Sequence, residues 1–255
     1  MTSPNTTQTA ARYVYGVTRA AAALPDGLTG LDGRPVTLIT HEGCAAVTSD
    51  LPVGRPLGER ADLLAHEHVL EALLATGTVV VPFRFGAALA GPEAVEKELL
   101  AANAERLTQI LDRLDGRLEV RVRGTYVQDA LLREVMNDDP QIADLNDRLR
   151  RIPADAADAA YYDRVRLGEM IARSLEQRRE ADGQALLEAL APAAHDLVRK
   201  PPAREDDVMD AAFLVDADRR EDFERAVRDT GAAHADRITL RLIGPLPPYD
   251  FVPES

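Results

Sequence analysis

Histidine, cysteine and paired carboxylates are the side chains that hold metals or move protons, and this chain rarely places them together. The stretch HEHVLE carries His66 and His68. A zinc helix of the HExxH kind needs its histidines four apart, on one face. Residues two apart point about 200° apart around a helix, so His66 and His68 take opposite faces. His66 falls on the apolar side and is expected to be buried or to line a groove, with a hydrogen-bond partner. His41 and Cys44, in HEGC, are of ligand type, but Cys44 is the single cysteine of the chain and no second ligand pair stands nearby. A polar turn leading into a small apolar cysteine is expected there. Neither a GxSxG nucleophile elbow nor a GxxxxGKS/T phosphate loop occurs. Asp138 with Asp139, and Asp206 with Asp207, flank prolines or strand starts and read as solvated turn carboxylates rather than a tuned acid–base pair. The expectation is no catalytic residue, no cofactor and no metal. An enzyme or small-ligand sensor would require His41, Cys44 and His66 to converge on one pocket.

The composition narrows the partners. The 255 residues carry a net charge of −13. That repels nucleic-acid phosphates and anionic membrane surfaces alike, and favours solubility. With 45% hydrophobic residues but only 4% aromatic and no Trp, the core must rest on Leu, Val, Ile and Ala. A lone cysteine allows no intrachain disulfide and fits a reducing cytosol. MTSPNTTQTA lacks the basic-then-apolar order of a secretory signal. No run approaches the roughly 18 apolar residues of a membrane span. The chain reads as soluble and cytoplasmic.

The elements alternate between two kinds of pattern. RYVYGVTR is a strand, LPDGLTGLDGRP a loop, and VTLIT and AAVTSD two short strands split by a turn. From Glu59 to Thr76 the period becomes helical, with Leu63, His66, Leu70, Leu73 and Leu74 on one face and Gly77 as the stop. TVVVPFRFG reads as a buried strand that leaves its ladder near Pro82. GPEAVEKELL…LDRLDG is a helix, over about 93–115, with Pro92 suited to its first turn and Leu107, Ile110, Leu111 and Leu114 as its stripe. LEVRVRGTYV alternates, with Leu118, Val120 and Val122 against Glu119, Arg121 and Arg123. A helical region from about Ala130 to Lys200 is expected to break near Pro140, Pro153, Gly183 and Pro192. Gly168 stands inside its YYDRVRLGEMIARSLEQRRE segment, where glycine costs about 1 kcal/mol relative to alanine. A close backbone approach or no packing reason at all are both open there. VMDAAFLVDAD is a strand, REDFERAVRDTG a helix stopping at Gly231, and RITLRLIGP the last strand.

Both halves follow versions of a βαββαβ order, the first without its early helix and the second without one visible hairpin strand. The expected class is α+β: two small sheet-and-helix domains, ferredoxin-like variants, with helices on one face of each sheet. The boundaries are a disordered lead-in at 1–11, an N-terminal α+β domain at 12–90, a connecting helix at 91–117, a modified ferredoxin-like domain at 118–243 and a Pro-rich arm at 244–255. In the arm, Gly244 and Pro245 end the last strand. Pro247 and Pro248 should then hold a stiff extended segment that presses Tyr249 and Phe251 onto the protein's own body or onto a partner.

RYVYGV, HEGCAAVTSDLP, LLAHEHVLEALLATGTVVVPFRFG, LEVRVRGTYV, YYDRVRLGEMI and GPLPPYDFV occur in this order from about Arg12 to Val252. Together they resemble the F/L family of gas vesicle accessory proteins. The resemblance implies a two-domain α+β protein with a ferredoxin-like part, a role in gas vesicle assembly, contact with the small hydrophobic shell protein, and no catalysis or cofactor. It leaves the F and L types unseparated. An assembly factor that binds shell subunits, keeps them soluble and helps nucleate or deliver them fits the acidic body. Other gas vesicle accessory proteins are further candidate partners; nucleic acid and membrane are not. A minor component retained on the finished vesicle is the alternative. Candidate contact residues, chosen by their chemistry, are Phe83, Arg84, Phe85, Pro247, Pro248, Tyr249 and Phe251.

Overall fold

The computed structural model describes residues 10–52, 54–127, 130–153, 160–204 and 206–253. The lead-in expected to be disordered lies largely outside them. The chain divides into two compact units. One comprises residues 1–120, 216–218 and 244–255, the other 121–215 and 219–243.

The first unit is built on a sheet of β1 (Arg12–Arg19), β2 (Thr37–His41), β3 (Cys44–Asp50), β4 (Val80–Pro82) and β5 (Ala88–Leu89). The order is β2-β3-β1-β4, with β5 pairing β1 beside β4. Every pairing is antiparallel, and β2 and β3 form a hairpin closed by Glu42 and Gly43 between His41 and Cys44. The register of β1 against β3 slips between Val14 and Gly16, leaving Tyr15 as the extra residue of a bulge. Helix α1 (Arg60–Ala75) covers the face that carries Tyr13, Tyr15 and Val47, and buries Val69, Leu70 and Leu73 there. The helical segment after Gly91 runs through α2 (Pro92–Ala94), a π-helical stretch at Val95–Ala101 and α3 (Ala102–Leu114). It lies on the opposite face, where Thr108 Oγ1 meets Cys44 Sγ at 3.7 Å. Helices on one face only were expected. Instead both faces are covered, which is why Tyr13 through Thr18 are buried without alternation.

One local reading of this half changes, and one loop glycine takes a packing role. Leu63 is 45% exposed, and Asp62 takes its place on the buried side of α1. Arg55 holds Asp62 with Nη1 and Nη2 at 2.9 and 2.5 Å, and the Gly58 and Glu59 amides donate to it at 3.0 and 3.1 Å. These bonds keep the carboxyl well below its usual range. Gly30 has a packing role: a Cβ there would sit 1.8 Å from the Tyr15 hydroxyl. That hydroxyl accepts from the Leu31 amide and pairs with Ser49 Oγ, each at 2.9 Å.

The second sheet has the order β7-β8-β6-β9, from β6 (Arg117–Tyr126), β7 (Asp196–Arg199), β8 (Asp207–Asp216) and β9 (Ile238–Leu246). Its helices are α4 (Ala130–Asp138), α5 (Pro140–Arg150), α6 (Tyr161–Leu190) and α7 (Arg220–Ala233). β7 is the strand that the sequence hides. Four residues among helix-forming neighbours give too short a period to separate from a helix tail. Helix α7 passes Gly231 by two residues. β9 runs through Gly244 and a cis Gly244–Pro245 bond to Leu246, so Gly244 and Pro245 do not end it; it stops just before Pro247. Phe213 packs on Phe223 with ring centroids 5.1 Å apart, and Leu186, Leu190 and Ile238 are likewise buried in this unit.

Asp138 and Asp206 are exposed, as expected of solvated turn carboxylates, but Asp207 and the strand residue Asp210 are not. Asp207 and Asp210 are 0% and 2% exposed. Arg121 grips Asp210 through two bonds of 2.6 Å, and Arg123 adds a third at 3.1 Å. Burial works to raise the Asp210 carboxyl, but the two guanidinium groups outweigh it and hold it below its usual range. Asp207 accepts from the Ala203 and Arg204 amides at 2.9 Å each. Asp139 caps α5 by accepting from the Gln141 and Ile142 amides.

Helix α6 continues through Gly183, where a break was expected. A Cβ at Gly183 would lie 2.7 Å from the Val208 carbonyl oxygen, whereas one at Gly168 meets nothing within 4 Å. The close approach belongs to Gly183. The two glycines should therefore respond oppositely to alanine. Gly168→Ala is expected to raise stability by about 0.5–1 kcal/mol. Gly183→Ala is expected to lower it by about 1–3 kcal/mol, because the Val208 backbone must move. Urea unfolding of the two single variants checks both signs.

Candidate functional site: a cleft beside the His66 cluster

His66 is the centre of a buried polar chain in the first unit. It is 1% exposed, set on α1 between the rings of Tyr13, Tyr15 and Phe85, with centroid distances of 5.7, 5.7 and 5.9 Å. The Gly86 amide donates to the Tyr13 hydroxyl at 3.1 Å. The Tyr13 proton is thereby directed to His66 Nδ1, 2.8 Å away. Nε2 then carries the ring proton and donates to the Phe83 carbonyl and the Tyr249 hydroxyl, both at 3.0 Å. Tyr249 in turn faces Glu67 Oε1 at 3.4 Å. Burial lowers the His66 pKa, so the neutral ring fits this pattern. Burial also pushes Tyr13 up to about 12 and raises Tyr249 and Glu67.

The chain ties down the C-terminal segment. The arm expected to be extended is a 3-10 turn over Tyr249–Phe251. Pro247, Pro248 and Phe251 are buried, and the Asp250 amide donates to Glu119 Oε2 at 3.1 Å. Arg106 donates to the Pro253 carbonyl at 3.2 Å. Of the two surfaces considered for the rings, Tyr249 and Phe251 meet their own protein. Between this turn, β4 and α3 lies an open cleft of about 550 Å³. Phe83, Arg84 and Tyr249 line it, joined by Leu99, Ile110 and Val252.

Three of the seven residues chosen by chemistry thus come to one place. Phe85 packs on the His66 cluster instead, and Pro247, Pro248 and Phe251 anchor the turn. Sequence reading assigned Ile110 to the core; it is buried and also forms the cleft wall, a double role that an apolar stripe does not reveal. His41, Cys44 and His66 do not converge. His41 Nδ1 lies 3.6 Å from Glu96, Cys44 faces α3, and His66 projects from α1 onto the opposite face of the sheet, against Tyr13 and Tyr15. Among the described residues no three His, Cys, Asp or Glu side chains form a group fit for a metal, and no helix is long and apolar enough to cross a membrane. His68 is exposed, on the side away from His66.

Comparison with known proteins supplies the context. Residues 11–253 match the sequence model of the family described as "Gas vesicle synthesis protein GvpL/GvpF". The chain is 34% identical over 247 residues to gas vesicle protein F of Streptomyces sp. (strain CB03234), covering 94% of this chain and 98% of that one. It is 30% identical over 269 residues to gas vesicle protein L of the same strain, covering 94% and 92%. The crystal structure of the gas vesicle protein GvpF from Anabaena sp. PCC7120 superposes with a TM-score of 0.85 at 25% identity, covering 97% of this chain and all of that one.

Proposed function

Because this chain belongs to the GvpL/GvpF family of gas vesicle synthesis proteins and so has a role in gas vesicle formation, we propose that it acts in the cytoplasm as an assembly factor for the hydrophobic shell protein. It binds the subunit, keeps it soluble and helps nucleate or deliver it as the wall grows. The observation that carries this reading is the cleft of the first unit. Phe83, Leu99, Ile110, Tyr249 and Val252 give it apolar walls, while Arg84 and Arg106 mark its rim. An open recess with a continuous apolar wall and its polar groups, Arg84, Asn103 and Arg106, set apart from that wall in the chain suits a greasy polypeptide surface with polar edges. The net charge of −13 keeps the loaded complex dispersed by mutual repulsion.

Phe83, Arg84 and Tyr249 are the contact residues of this reading. Pro247, Pro248 and Phe251 act behind them, by holding the turn that forms one wall. The test is a pull-down of tagged full-length protein with the shell subunit. Recovery of the subunit in a stoichiometric complex is expected. No recovery, together with normal vesicles after deletion of the gene, would end the proposal.

A further inference from the structure

The second unit ends its sheet on an open edge. β9 is the terminal strand in the order β7-β8-β6-β9, and among the described residues no strand pairs its outer side. Sheet edges recruit strands because their outward N–H and C=O groups lack partners, and proteins commonly blunt them with charges, prolines or bulges. This edge is lightly defended. From Thr239 to Ile243 only Arg241 is charged, and the first proline is Pro245.

Beside the edge runs a trough of about 550 Å³. Its floor is made of Gly231, Ala232 and Ala235, and its walls of Val227, Leu240 and Leu242. The side chains of α7 and the turn after it shrink to glycine and alanine where they pass the strand. Along β9, Leu240 and Leu242 alternate with the exposed Thr239 and Arg241, so every second side chain of a neighbouring strand would turn toward the trough.

We infer that this edge and trough take an extended, apolar, uncharged segment of the shell subunit, added as a fifth strand beside β9. The inference rests on the binding reading above and assigns a second surface to it. Three observations choose the occupant. An outward row of backbone donors and acceptors is matched by another extended backbone, whereas a helix has already satisfied its own. The small-residue floor leaves room for large apolar side chains at alternate positions. Glu224, on the rim, is held by Arg220 at 2.7 Å and lies 4.0 Å from Arg228, so the trough offers no free carboxylate to attract a basic strand.

The test uses the full chain and the shell subunit co-expressed with it. In the purified complex, amide hydrogen exchange over residues 239–243 is expected to slow at least tenfold relative to the chain alone. Glutamates at the exposed positions 232 and 235 (Ala232→Glu with Ala235→Glu) should cut the recovered subunit at least tenfold, with the melting temperature little changed. Unchanged exchange along β9 in a complex that does form would overturn strand addition while leaving the binding reading intact, and this readout needs no variant. Equal recovery with the double variant would do the same. If the wild-type chain recovers no subunit, the binding reading falls and this inference with it. Slow exchange along β9 in the chain alone, accompanied by a dimer mass in sedimentation, would assign the edge to a second copy and overturn the proposal.

Discussion

Replacing His66 with alanine is expected to lower folding stability by about 3–4 kcal/mol, the largest single-residue effect outside the apolar core. The substitution opens a cavity among Tyr13, Tyr15 and Phe85. It also leaves the Tyr13 hydroxyl and the Phe83 carbonyl without their partner, at about 1–3 kcal/mol for each buried group so stranded. The loss should be felt at the far end of the chain, because Tyr249 is held through Nε2. The C-terminal turn is then expected to become sensitive to proteolysis before the rest of the unit. The pH dependence has a definite sign. Burial holds His66 neutral in the folded state and lowers its pKa below the ordinary histidine value of 6.5. Below pH 6.5 the unfolded chain therefore binds a proton that the folded one refuses. Stability is fully present above that value and falls as the pH drops through it, by at most about 1.4 kcal/mol per pH unit. Urea unfolding of wild type and His66→Ala between pH 5 and 8 checks both points. The difference between the two proteins should shrink on the acid side. A difference that stays constant would mean that His66 is not held neutral.

The second large effect is on binding. Val252→Asp places a carboxylate at the half-buried wall of the cleft, where the proposed partner is apolar. Desolvating an unpaired charge costs several kcal/mol, so a loss of tenfold or more in affinity for the shell subunit is expected, equivalent to about 1.4 kcal/mol or more. The wall faces open space, so the free protein should lose no more than about 1 kcal/mol of stability. Affinity measured beside a melting curve separates the two. A variant that binds as well as wild type would move the contact surface away from the cleft.

Much of this was legible from residue order because single elements announce themselves locally. The buried strand at Val80–Pro82, the stripe of α3 and the opposed faces of His66 and His68 follow from period and side-chain type alone. What stayed hidden depends on partners far along the chain. Asp207 looked like a turn carboxylate, and no local pattern marks Asp210 as buried, because nothing in their neighbourhood shows that Arg121 and Arg123 arrive from β6. Gly183 looked like a helix stop because glycine usually is one, yet its lack of a side chain serves the approach of Val208. Asp62 displaced Leu63 from the buried side of α1 because Arg55 and two loop amides make burial of a carboxylate tolerable. The C-terminal prolines suggested an extended arm. The hydrogen bond from His66 to Tyr249 joins residues 183 positions apart, and no local pattern encodes it. The cleft shares this origin, since its walls come from β4, α3 and the last turn.

The most direct measurement is the partition of the shell subunit between supernatant and pellet when it is expressed with and without this chain. The subunit is expected in the supernatant only in the presence of the wild-type chain, and in the pellet when that chain carries Val252→Asp. Equal partition with and without the chain would contradict the account, whatever the behaviour of the variants.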